Sequence, residues 1–178
     1  MSHALYLKIL GLVLAVTLSL PGCAGELRTL EARAAPALEL PDLNGSMHHL
    51  ADWRGQVILL NFWASWCQPC VEEMPGIQRL AGQMQGRGFV VVGVNVAEAP
   101  RRANRIAEQL GLGFPILLDA EGETFHAWGG KVLPTSALID RQGRLRYLGL
   151  GPLEWDGVEA LGRVEALLAE PMAVTDGG

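Results

Sequence analysis

Two cysteines separated by two residues, Cys67 and Cys70, sit where an apolar run gives way to an amphipathic one. Gln56 to Phe62 reads Gln-Val-Ile-Leu-Leu-Asn-Phe, which predicts a central strand covered on both faces. From Gln68 to about Gln85, Val71, Met74, Ile77, Leu80, Ala81 and Met84 recur at intervals of three and four, the stripe of a helix. Pro75 lies inside that stripe and predicts a kink. Cys67 therefore falls at a helix N-terminus, where unpaired N–H groups and the macrodipole favour an anion. Such a setting lowers a thiol pKa from about 8.5 to roughly 3.5–7.5. Cys70, one turn further, is near enough to close a disulfide and is shielded by that turn. The pattern implies a redox pair: Cys67 attacks a substrate disulfide and Cys70 resolves the mixed disulfide. Pro69 suits the first helical turn, because its missing N–H has no partner to lose there.

Two structural readings compete. Two cysteines at this spacing are half of a four-ligand zinc site. No second cysteine pair exists, however, and His48, His49 and His126 form no motif that completes the set. A static disulfide is the other reading, but so short a loop at a helix start is strained and easily reduced, which suits catalysis better.

The rest of the chain alternates strand and helix signals. Leu38–Leu40 and Met47–His49 flank a segment containing Asn44-Gly45, a hairpin-turn signal. Phe89–Val96 reads as a second buried strand and Arg101–Leu110 as an amphipathic helix closed by Gly111. Pro115–Leu118, Thr135–Asp140 and Leu145–Leu150 read as three more strands, and Trp155–Leu168 as a final helix. Parallel strands first and a late hairpin predict one mixed sheet with helices on both faces.

Ile9 to Leu20 carries no charge, follows Lys8 and ends at Pro21-Gly22, the build of a secretory signal over residues 1–23. Leu20-Pro21-Gly22-Cys23 resembles a bacterial lipobox, which makes Cys23 a candidate for lipidation; plain cleavage nearby and an uncleaved anchor are the alternatives. Each sends the remainder across a membrane. Residues 24–35 hold Glu26, Arg28, Glu31 and Arg33 with few large apolar residues and read as a linker. A domain over 36–170 and a flexible tail over 171–178 complete the division. The 178 residues carry 14 basic and 19 acidic side chains, with no strongly basic window, so nucleic acid is excluded as a main partner.

Asn61-Phe62-Trp63-Ala64-Ser65-Trp66-Cys67-Gln68-Pro69-Cys70-Val71-Glu72-Glu73-Met74-Pro75 resembles the active-site segment of the membrane-anchored TlpA/ResA-like thioredoxins. Val132-Leu133-Pro134-Thr135-Ser136-Ala137-Leu138-Ile139-Asp140 resembles that family's stretch holding a cis-proline beside the cysteines. The resemblance implies an α/β thioredoxin fold, a mixed central sheet flanked by helices on both faces, with an N-terminal β-hairpin extension. It further implies that Pro134 is the cis-proline and that Leu133 offers its backbone to an extended substrate. Trp66, Gln68 and Pro69 complete the docking surface, while Trp63 packs beneath. Glu73 matches the family's acidic group and exchanges protons with Cys70, a role that Asn61 cannot fill; Glu72 is a solvated first-turn residue.

The function implied is extracytoplasmic thiol–disulfide exchange in a periplasm or at the cell-envelope exterior, most simply reduction of protein disulfides, with apocytochrome c among the family's substrates. Its partners are proteins bearing disulfides or thiols, a transmembrane thiol carrier that supplies electrons, and the membrane through the N-terminus. No cofactor or metal is expected beyond the Cys67–Cys70 disulfide itself. A dithiol oxidase or isomerase is the first alternative. A copper metallochaperone on the same fold is another, although such proteins usually place three residues between their cysteines. A non-catalytic binding module would require the cysteine pair to be dispensable.

Overall fold

The computed structural model describes residues 25–171. The expected leader over 1–23, Cys23 with it, and all of the expected tail after Pro171 lie outside the described residues. Eight strands and four helices follow in order: β1 (Glu26–Ala34), β2 (Glu39–Pro41), β3 (Met47–His49), β4 (Val57–Trp63), α1 (Gln68–Gln83), β5 (Phe89–Val96), α2 (Pro100–Gln109), β6 (Ile116–Asp119), α3 (Glu123–Ala127), β7 (Thr135–Ile139), β8 (Arg144–Leu150) and α4 (Val158–Ala169). Six strands form one mixed sheet in the order β1-β8-β7-β4-β5-β6, and β2 pairs with β3 in a separate hairpin. Strand β4 is parallel to β5 and antiparallel to β7.

All seven residues of β4 are buried, as a strand at the middle of a covered sheet requires. Its side chains alternate between two cores. Val57, Leu59 and Trp63 join Met74, Ile77 and Leu80 of α1, Ala103 and Ala107 of α2, and Val164 and Leu167 of α4. Ile58, Leu60 and Phe62 face the other side, against Leu38, Leu40, Trp53, Phe125 and Trp128. That second face is covered by the β2–β3 hairpin, a 3-10 turn (Leu50–Trp53) and the short α3 rather than by long helices. The indole N–H of Trp128 donates to the Ala37 carbonyl at 3.1 Å and pins the approach to the hairpin. Among the described residues, no helix is long and apolar enough to cross a membrane.

Two expectations need correction, and one short helix was not expected. The supposed linker is not one: Glu26–Ala34 is an edge strand running antiparallel to β8, with Glu26 opposite Leu150 and Ala34 opposite Arg144. Backbone pairing, which leaves no mark in side-chain composition, orders it, and its outward residues are charged because an edge faces water. Leu27 and Leu30, three residues apart, reach opposite cores as strand alternation dictates, and the register shifts between Thr29 and Arg33. The last helix starts at Val158, with extended Gly157 as its N-cap, and Trp155 is buried in the segment ahead of it. The five-residue α3 was too short for periodicity to reveal.

Candidate active site

Strand β4 ends at Trp63, and the turn Ala64–Trp66 delivers Cys67 to the N-cap of α1. Cys67 and Cys70 form a disulfide with S–S 2.08 Å and Cα–Cα 5.3 Å. The Cys67 sulfur also accepts from the Cys70 backbone N–H at 3.3 Å, the capping role that a helix start leaves open. Cys67 retains 6% exposure and Cys70 none, so only the first sulfur presents itself at the surface. Gln68 and Pro69 are exposed beside it, and Gln68 donates to Glu72, itself exposed, at 2.9 Å. Trp66 stands 63% exposed while Trp63 is fully buried.

The Leu133–Pro134 peptide is cis. Pro134 is buried and Leu133 half-buried. Together with Trp66, Cys67, Pro69 and Phe125, Leu133 lines a groove of about 580 Å³ that opens onto the disulfide. His126, exposed on α3, lines its rim with Glu121 and Lys131.

Glu73 lies one helical turn beyond Cys70 and is buried to 7% exposure. Its Oε1 accepts from Asn61 Nδ2 at 2.7 Å and its Oε2 from the Leu153 N–H at 3.0 Å. Burial pushes its carboxyl up to about 7, against the opposing pull of the Leu153 and Asn61 donors. The Trp155 indole N–H pulls the same way from beyond normal hydrogen-bond geometry.

Several functional neighbours were not foreseen. Asn61 also donates to Ser136 Oγ at 2.9 Å, joining Glu73 to the strand that follows Pro134. The one signal was a lone amide in an otherwise apolar strand. Glu98 accepts from the Ser65 N–H at 2.7 Å, from the Ser65 hydroxyl, and from Asn95 Nδ2 at 2.6 Å, clamping the turn ahead of Cys67. Ala97, just before it, is held at φ 52° and also lines the groove. Among the described residues, no group of three or more His, Cys, Asp or Glu side chains could hold a metal ion.

A cysteine pair capping a helix beside a cis-proline, on a mixed sheet of this order, defines a thioredoxin-fold thiol–disulfide oxidoreductase. Residues 32–148 match the AhpC/TSA family. The thiol-disulfide oxidoreductase ResA of Geobacillus thermodenitrificans is 38% identical over 125 residues, covering 70% of this chain and 72% of that protein. ResA of Bacillus subtilis is 33% identical over 122 residues, 68% of each chain. A crystal structure from Chlorobium tepidum, described as a thiol:disulfide interchange protein DsbE, superposes with TM-score 0.74 at 32% identity, covering 80% of this chain and all of that one. The chain belongs to the AhpC/TSA family and is, with these relatives, a thiol–disulfide oxidoreductase of the ResA type.

Proposed function

We propose that the protein reduces disulfides of exported proteins on the outer side of a membrane, apocytochrome c among them, and draws its electrons from a membrane-embedded thiol carrier. The observation that carries this reading is the asymmetry of the pair: Cys67 at the surface, Cys70 sealed beneath it beside a buried carboxyl. In the reduced protein the Cys67 thiolate attacks one sulfur of the substrate disulfide and expels the other as a thiolate, which takes up a proton. Cys70 passes its proton to the Glu73 carboxylate and attacks the Cys67 sulfur. The second substrate thiol leaves, and two electrons have moved to the substrate. The carrier dithiol then reverses the change in the enzyme. Leu133, Trp66, Gln68 and Pro69 border the approach and would seat the substrate segment, with Pro134 holding Leu133 in place. The leader-like segment over 1–23, and lipidation at Cys23, fit an enzyme tethered on the outer side of the membrane.

The deciding experiment equilibrates the Cys67–Cys70 couple against redox buffers. A potential at or below about −270 mV supports a reductant, whereas a value near −120 mV makes the protein a dithiol oxidant. Full biological activity of Cys67→Ser would exclude thiol chemistry altogether.

A further inference from the structure

Glu73 must exist in two forms if it takes and returns a proton, and a buried carboxyl needs partners suited to both. As a carboxylate it accepts only; as an acid it must also donate. Leu153 supplies a backbone N–H, which can serve only as a donor, to one oxygen. The other oxygen meets Asn61, whose side chain is completely buried. Asn61 and Ser136 stand directly opposite each other on the antiparallel strands β4 and β7. Both amide hydrogens of Asn61 are committed, one to Glu73 and one to Ser136 Oγ, while its Oδ1 has no partner. A buried acceptor left unpaired is uncommon and calls for a reason. The reason is visible in the chemistry of the amide. Half a turn about its terminal torsion exchanges Nδ2 and Oδ1 at little steric cost, because the two ends have nearly the same shape. The Ser136 hydroxyl can donate or accept by rotating its hydrogen.

We propose that Asn61, backed by Ser136, is a positioning residue that serves Glu73 in both protonation states by reversing its amide. With Glu73 ionised, Nδ2 donates to Oε1, as seen. With Glu73 protonated, Oδ1 turns to accept the Glu73 O–H and the Ser136 O–H, so the bond to Glu73 persists with its direction reversed, at the cost of moving the two amide hydrogens to the place where Oδ1 now has no partner. An Asp here would add a second charge, and an apolar residue would serve neither form. The inference rests on the proposed proton exchange between Glu73 and Cys70. The groups facing Glu73 are Cys70 on α1, Asn61 on β4, and Leu153 with Trp155 in the segment after β8; Arg79 and Asp156 nearby pair with each other. No other charged side chain shifts Glu73 among the described residues.

The test follows the Asn61 side-chain amide by NMR across pH 5–9 in the disulfide form, where no active-site thiol titrates. Its resonances should move with the Glu73 carboxyl, at a midpoint near 7, and stay fixed in Glu73→Gln. Amide signals that stay flat while the carboxyl carbon titrates overturn the inference without any variant needing to fold. Kinetically, Asn61→Leu should move the pH midpoint of thiol exchange upward by about one unit and slow exchange at pH 7 several-fold, with Ser136→Ala moving it less. A slow Glu73→Gln beside an Asn61→Leu of wild-type profile removes this inference alone. A Glu73→Gln that exchanges at the wild-type rate removes the proton role and this inference with it.

Discussion

Arg79 of α1 donates from Nε to Asp156 Oδ2 at 2.7 Å, fastening the segment that carries Leu153 and Trp155 onto the helix that carries Glu73. Gly76 leaves room for it, since a Cβ there would come within 3.0 Å of Asp156 Oδ1. Arg79 is largely solvated, so the pair is screened. Arg79→Ala is expected to cost no more than about 1 kcal/mol in denaturant melts, a difference that shrinks as salt is raised.

Glu73 gives stability a pH dependence of definite sign. Its carboxyl is held near 7 in the folded chain against 4.5 for the ordinary group, so the folded state keeps a proton that the unfolded state gives up between those values. The associated stability is complete below about 4.5 and is lost as pH rises through 7, amounting to roughly 3 kcal/mol by linkage. Glu73→Gln, neutral at every pH, should remove this slope. Urea titrations of the disulfide form at pH 5 and pH 8 measure it, and equal slopes in the two proteins would contradict the buried-acid description.

Ala97 occupies the left-handed region at φ 52°, where a Cβ is unfavourable. Ala97→Gly relieves that conflict while giving the unfolded chain more freedom. The folded-state gain should dominate, stabilising the protein by about 0.5–1 kcal/mol, or a few degrees in Tm. Scanning calorimetry decides the sign.

The unequal exposure of the two sulfurs predicts an order of attack. When the reduced protein is treated with iodoacetamide at neutral pH, Cys67 should be alkylated at least ten-fold faster than Cys70, as peptide mass spectrometry would report. Comparable rates would mean that Cys70 is not sealed once the disulfide opens.

The strand–cysteine–helix junction was legible because three signals coincide there: a near-continuous apolar run, a stripe of period 3.6 and a residue pair with few other uses. Glu73 and Pro134 entered through resemblance; the fold sets Glu73 one helical turn beyond Cys70 and brings Leu133, the residue before Pro134, into the groove with Cys67. What stayed hidden was tertiary. Nothing local in Asn61 or Ser136 says that strands β4 and β7 bring them opposite each other across 75 residues of chain. Leu153 acts through its backbone N–H, which every residue but proline possesses. Glu26–Ala34 looked like a tether because an edge strand needs a partner's backbone more than apolar side chains of its own.

The direction of that first strand governs how the molecule presents itself. Leu150 is paired on one side with Glu26 and on the other with Thr135, which in turn pairs with Phe62. One rung of the ladder thus links the beginning of β1 to the end of β4, three strand spacings or about 14 Å away. Gly25, where the described residues begin, therefore lies at the reactive pole of the domain, not at the opposite one. Anything joined at that end would sit on the sulfurs' side of the domain and leave the far pole free.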